Sequence, residues 1–282
     1  MAPGGEMFRY PQHFGENVLR HGSHKWLPYS KNEVRLKSPN TNLSRLVRNE
    51  AFPIFPKGGV PMKLPISPRL LACADLVPPC RRAADVGCDH GYLAIHLIRS
   101  GIAGQVIASD INEAPLQSAL HNAARYGVRE KMSFYRSDGV RQIPHDFDCL
   151  ICAGMGGDTM VSILSAAPWL RSEQYTLVLQ CQSKTPLLRR YLSDTGWVID
   201  RETILRDGKF LYTVIRALWN PAAPRLTVGG RYLPPAARDN PPELYADYRD
   251  YVLRGLRLTL AHQDNPEKQQ ALAELEALAI SI

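Results

Sequence analysis

The chain has 282 residues, 45% hydrophobic and 22% charged, the balance of a soluble folded protein with room for one large domain plus an extension. No run approaches the roughly 18 apolar residues of a membrane span, and no basic stretch followed by an apolar one opens the chain, so neither a membrane partner nor a secretory signal is expected. The net charge is +7, but residues 1–61 hold nine Lys/Arg against four Glu, which leaves +2 for the other 221 residues, so any basic footprint on the folded part must be local.

Residues 1–61 show no sustained hydrophobic period and are predicted to be a disordered or over-extended tail, with Met62 as an alternative start. Ser67 and Pro68 then read as the cap and first position of a helix carrying Leu70, Leu71, Ala74 and Leu76. From Ala83 the elements alternate. Ala83–Val86 is a strand that enters a glycine turn and then a helix with Leu93, Ile95 and Leu97. Gln105–Asp110 is a second strand, followed by a helix over 114–126; Met132–Tyr135 is a third, ending in Ser137-Asp138-Gly139. Phe147–Cys152 is a fourth, entering a loop at Ala153-Gly154-Met155-Gly156-Gly157, with a helix over 159–170. A fifth strand (175–180), a helix (185–193) and two extended runs around the turn signal Asp207-Gly208 complete the pattern. Five β/α alternations ending in a hairpin predict a doubly wound α/β fold over 62–220, a Rossmann-like seven-stranded sheet with one antiparallel strand.

Residues 221–240 are proline-rich and read as a linker or strap, without a packed element. Beyond them, Leu244, Tyr248, Val252, Leu256 and Leu260 recur every four residues, and after Asp264-Asn265-Pro266 a second helix carries Ala271, Leu272, Leu275, Leu278 and Ala279. Residues 241–282 are thus expected to form a coiled-coil-like helical hairpin. Its Arg249, Arg254 and Arg257 form either a basic binding side or a solvated face.

The six cysteines lack the spacing of a disulfide scaffold. Cys149 and Cys152 spell C-x-x-C, but residues three apart on a strand point to opposite faces, so they cannot share a metal. Reduced, buried thiols in a cytoplasmic protein are the expectation, with no metal site.

The chemistry concentrates in the first strand and its turn, AADVGCDHGYLAIHL (83–97). Asp85-x-Gly87-x-x-x-Gly91 follows the acidic-first glycine pattern of S-adenosyl-L-methionine (AdoMet) methyltransferases, with Asp89 at the middle glycine position, and fits G-x-G-x-x-G poorly. A dinucleotide brings an anionic pyrophosphate to the helix N-terminus, whereas AdoMet brings a positive sulfonium and no phosphate. Two acids in the turn suit the cation. AdoMet also needs a carboxylate for its ribose diol and an acceptor for its adenine amine. Asp110 and Asp138 stand at the ends of the second and third strands, where both fit one ligand. Gly154, Gly156 and Gly157 after the fourth strand permit a substrate to come close. The aromatic Pro-Pro motif common among enzymes that methylate exocyclic amines is absent there; Met155 either meets the base or fills core.

Together D-V-G-C-D-H-G-Y-L, S-D-I-N-E-A-P-L-Q-S-A, S-D-G-V, A-G-M-G-G and L-V-L-Q-x-Q resemble the bacterial TrmK family, the tRNA (adenine-22-N1) methyltransferases, over about residues 63–220 and more loosely in the C-terminal helices. Gly91 stands where that family usually has alanine, and Ala94 where it has proline. The resemblance implies AdoMet as cofactor and tRNA as substrate. It implies cofactor contacts from Asp85, Gly87, Asp89, Gly91, Asp110, Asn112, Asp138, Gly139, Ala153 and Gly154, and places His90, Tyr92, Met155 and Gly156 on the reacting side. His90 either meets a ligand or ties the loop to the backbone. The competing readings are an AdoMet methyltransferase for a small molecule or protein, a non-catalytic RNA-binding relative, and an NAD-dependent oxidoreductase, which the glycine register disfavours.

Overall fold

The computed structural model describes residues 63–280; the expected tail and the alternative start lie outside them. The first helix, α1 (Pro68–Leu76), begins as its sequence dictates, with Pro68 at the first position and Ser67 accepting from the Leu70 amide at 3.4 Å. Strand and helix then alternate: β1 (Cys80–Val86), α2 (Tyr92–Arg99), β2 (Ala103–Asp110), α3 (Glu113–Arg125), β3 (Met132–Arg136), β4 (Cys149–Gly156), α4 (Gly157–Ser165), β5 (Thr176–Ser183) and α5 (Thr185–Asp194). The hairpin β6 (Trp197–Asp207) and β7 (Phe210–Trp219) follows, turning at Asp207-Gly208 as expected. The seven strands lie in the order β3-β2-β1-β4-β5-β7-β6, with β7 antiparallel to both neighbours. This is the seven-stranded Rossmann-like sheet that the alternation predicts.

The period of two divides the core. Ala83, Val106, Ala108, Cys149 and Ile151 pack on the face covered by α1, α2 and α3; Ala84, Val86, Ile107, Leu150 and Cys152 pack on the other, beneath α4 and α5. Cys149 and Cys152 therefore lie in different cores. All six cysteines are free, and burial pushes the pKa of Cys80 up to about 11 and that of Cys152 to about 12.

Two segments differ from the sequence expectation. β4 does not stop at Cys152: it continues through Ala153-Gly154-Met155-Gly156, pairing Met155 with Cys181 and Gly156 with Ser183 across two register shifts. The glycine-rich stretch is thus a bulged strand end rather than a free loop, because β5 offers it a full-length partner. The proline-rich stretch also packs. It forms the short helix α6 (Val228–Tyr232), with Thr227 as cap, and a 3₁₀ turn (Pro235–Asp239), burying Leu233 and Ala237. Its isolated apolar residues carry no readable period, yet Asn240 fastens it to β6 by accepting from the Ile204 amide at 2.7 Å and donating to the Glu202 carbonyl at 2.7 Å.

Two C-terminal helices, α7 (Pro242–Leu260) and α8 (Pro266–Ile280), are joined by residues 261–265. Tyr248, Leu253, Leu256, Ala271 and Leu275 share one core with Ile204 of β6 and with Leu233 and Ala237. Of the three arginines read as either a binding side or a solvated face, Arg249 pairs with Asp250 at 3.0 Å and Arg257 with Glu276 at 2.6 Å; Arg254 is exposed.

Candidate functional site

At the C-terminal ends of β1, β4 and β5, beneath the first turn of α1, lies a cavity of about 470 Å³. Parallel packing puts the turns after β1 and β4 side by side there, the crevice in which open α/β sheets hold ligands. Of the predicted site residues, Asp85, Gly87, Asp89, His90, Tyr92, Ala153, Gly154 and Met155 line it.

Asp85 is 3% exposed at the end of β1, and one of its carboxylate oxygens has no hydrogen-bond partner. Burial pushes its pKa up to about 7; the Ala94 amide in the first turn of α2 opposes the rise, and Asp110 and Asp89 add to it. A buried carboxyl with one oxygen left without a hydrogen-bond partner, on a cavity wall that also carries Asp89, suits a positive group.

The turn is shaped for close approach. Gly87 has φ +75°, and a Cβ there would stand 2.2 Å from the Met155 methyl group. Gly91, at φ +72°, lets α2 pass against α3: a Cβ would lie 2.9 Å from that of Ala119. Asp89 adopts φ 49°, a left-handed conformation that aspartate tolerates better than most residues and that a glycine would hold freely. Its amide donates to Asp110 at 3.4 Å, while the other Asp110 oxygen accepts from Asn112 at 2.9 Å. Asp110 thus braces the turn from the end of β2.

Asp110, Asn112, Asp138 and Gly139 do not line the cavity; they stand beyond it at the ends of β2 and β3, joined where the Ser137 amide donates to the Asp110 carbonyl at 2.9 Å. Asp138 pairs with Arg141 at 3.0 Å. Gly91 and Gly156 are also outside the lining, the first packing helices and the second capping α4. His90 stacks on Tyr92 with ring centroids 5.8 Å apart, and its carbonyl accepts from Asn122 at 3.0 Å. Met155 packs against the core beneath α4 and also lines the cavity.

The structure adds residues that sequence reasoning gave no role. Ser67, Arg69 and Leu70 of the α1 entry roof the cavity, and Arg69 is tied to Asp207 of the β6–β7 turn at 3.0 Å and lies over the Tyr212 ring at 5.0 Å. Gln180 is buried and accepts from the Gly154 amide at 3.0 Å; Gln182 lines the cavity beside it. The signal for both glutamines was their L-V-L-Q-x-Q motif. Arg69 had none, because only tertiary packing brings α1 to the turn after β1.

Acids for a positive centre, an arginine for a carboxylate, and a turn whose glycines hold left-handed backbone fit the amino-acid end and sulfonium of AdoMet. Fold and cavity together define a methyltransferase of the seven-stranded Rossmann-like class. The chain belongs to the methyltransferase-domain family, whose pattern matches residues 66–215.

Within that class the TrmK resemblance is borne out. The chain is similar to the Bacillus subtilis tRNA (adenine(22)-N(1))-methyltransferase, with 29% identity over 156 residues that cover 55% of this chain and 66% of that protein. It is similar in structure to a candidate tRNA (m1A22) methyltransferase of Streptococcus pneumoniae solved with S-adenosyl-L-methionine, at TM-score 0.66 and 27% identity, covering 74% of this chain and 99% of the other. A Streptococcus agalactiae protein of the NADB-Rossmann superfamily gives TM-score 0.65 and 28% identity, covering 77% and 95%. In sequence, the match spans 59% to 66% of the length of the first three curated relatives.

Proposed function

We propose that this chain transfers a methyl group from AdoMet to N1 of an adenine in tRNA, at the position corresponding to adenine 22. The observation that carries the reading is the buried Asp85 carboxyl, with one oxygen unpartnered, in an acidic glycine-turn cavity, on a chain whose likeness to a candidate m1A22 enzyme covers 99% of that enzyme.

When bound, AdoMet supplies an electrophilic methyl group on a sulfonium. In this reading Asp85 and Asp89 hold its positive end and Arg69 meets its carboxylate. Asp110 receives the ribose diol, with the Asn112 turn beside it, and Asp138 and Gly139 receive the adenine. Gln180 fixes the Gly154 amide, and with it the strand end Ala153–Gly156 along which the acceptor base approaches. Adenine N1 carries a free lone pair and no proton, so the residues need only hold the base in line and exclude water. The base must be unstacked from the folded tRNA to reach the cavity. His90 and Tyr92 stack on each other where the first turn lines that cavity. The sheet segment 62–220 would then carry the chemistry and residues 241–282 face the RNA, in the cytoplasm.

The test is methyl transfer from labelled AdoMet to an unmodified tRNA transcript, followed by nucleoside mass spectrometry. The expected product is 1-methyladenosine, lost when adenine 22 is replaced by guanine. AdoMet binding without incorporation into any tRNA would reject the RNA reading in favour of another acceptor.

A further inference from the structure

A second cavity, of about 570 Å³, adjoins the first, and Gln182 lines both. It lies where the C-terminal end of β5 and the start of β7 face α7. Its chemistry is the reverse of its neighbour's. No aspartate or glutamate lines it, and Lys184, Arg254, Lys268 and the buried Arg189, which is paired with Glu202, do. Lys184 is held by Asp158 at 2.6 Å, but neither Arg254 nor Lys268 has an ion-pair partner among the described residues. Tyr212 and Tyr232 form part of the wall, and Tyr251 stands 56% exposed at the rim. The Thr213 hydroxyl, on a residue 2% exposed in this lining, has no hydrogen-bond partner.

We propose that this cavity is the acceptor pocket: it takes an unstacked purine nucleoside of an RNA strand together with its flanking phosphates, and Gln182 reads the base edge at the junction with the cofactor cavity. The proposal rests on the reading of the chain as an RNA methyltransferase and adds which surface the RNA uses. Tyrosines beside unpaired cations are the combination that holds single-stranded nucleic acid, through base stacking and phosphate contact. An acidic cavity for a cationic cofactor beside a carboxylate-free cavity for a polyanion also keeps each ligand out of the other's place. Gln182, adjacent to Gly154, reaches the side from which a methyl group would leave. Its amide oxygen accepts from the exocyclic amine next to adenine N1, whereas guanine presents a carbonyl and a protonated N1 at the same edge. The orphaned Thr213 hydroxyl offers the nucleoside a further polar contact.

The experiment compares full-length wild type with Arg254→Ala/Lys268→Ala, Tyr251→Ala and Gln182→Ala. AdoMet binding is measured by calorimetry, binding of an unmodified tRNA transcript by filter retention at several salt concentrations, and transfer under single turnover. The double variant is expected to bind tRNA about tenfold more weakly and to lose about 0.9 from the log–log salt slope per duplex phosphate contact removed, or about 0.7 if the contact is to a single strand, with AdoMet affinity within about twofold. Tyr251→Ala is expected to weaken tRNA binding about tenfold without changing the slope. Gln182→Ala is expected to weaken tRNA binding by no more than about fivefold and to transfer about tenfold more slowly. Unchanged tRNA affinity and slope in the double variant would overturn the pocket, as would an equal loss of AdoMet binding, which would mark the cavity as structural. The binding measurements do not depend on turnover: a wild type that binds tRNA but never methylates it would sink the proposed function and leave the pocket standing.

Discussion

Arg189 of α5 and Glu202 of β6 form an ion pair shut away from solvent, their side chains 1% and 0% exposed. The guanidinium is fully used: it donates to both Glu202 oxygens, to the Arg231 and Tyr232 carbonyls at 3.0 and 2.8 Å, and to the Tyr248 hydroxyl at 2.9 Å. One side chain thereby joins the sheet, the proline-rich segment and α7.

Removing one partner leaves a buried charge alone. Glu202→Ala is expected to cost about 3–5 kcal/mol and Tyr248→Phe about 1–3 kcal/mol, read from urea denaturation of the full chain. A Glu202→Ala protein as stable as wild type would show that the pair contributes nothing. Truncation before residue 241 removes Tyr248 and uncovers Ile204 and Leu233, so the shortened chain should melt well below the full one in a calorimetric scan.

The pKa of Asp85, raised to about 7 in the folded chain and ordinary in the unfolded one, fixes the sign of a pH effect. Between about pH 4 and pH 7 the folded state holds the extra proton, so stability falls as pH rises through that window and levels above it. Asp85→Asn should flatten the curve. A cation seated against Asp85 expels the proton, so AdoMet binding should release just under about one proton at pH 6 and none by about pH 8. Calorimetry in buffers of different ionisation enthalpy measures this; no release at pH 6 would place the cation elsewhere.

Asp110→Ala should weaken AdoMet binding by about 1.5–3 kcal/mol, the value of a hydrogen bond to a charged group, while the fold survives because the residue sits at a strand end. Part of that loss comes from the Asp89 turn, which Asp110 braces. Equal affinity for AdoMet and for an analogue lacking the ribose hydroxyls, in wild type, would remove the ribose from Asp110.

Gly87→Ala meets the Met155 methyl group and a left-handed backbone together. It should destabilise the chain by about 1–3 kcal/mol, and Met155→Ala in the same chain should restore only the steric part. Full rescue in thermal melts would show that the backbone at Gly87 is unstrained.

The parts legible in sequence are those encoded by neighbours in the chain. Asp85, Gly87 and Gly91 sit in one turn, Asp110 ends a strand that carries Val106, Ile107 and Ala108, and Asp207-Gly208 names its own hairpin. What escaped depends on distant partners. β4 runs on through Gly156 only because β5 lies beside it, and Leu233 and Ala237 are buried without any period because prolines shape the path around them. The roof of the cavity was invisible for the same reason: nothing in Ser67–Leu70 mentions the turn it covers.

That roof has a consequence for synthesis. α1 is among the first described elements to leave the ribosome, yet it packs against β5, β6 and β7, and Arg69 is fastened to Asp207. Most of the helix's docking surface therefore exists only after the whole alternating sheet has emerged. A nascent chain halted before residue 207 already contains the acidic glycine turn and the helix that roofs it, but not the Asp207 turn to which Arg69 is fastened, so the roof is anchored only at the end of the sheet's synthesis.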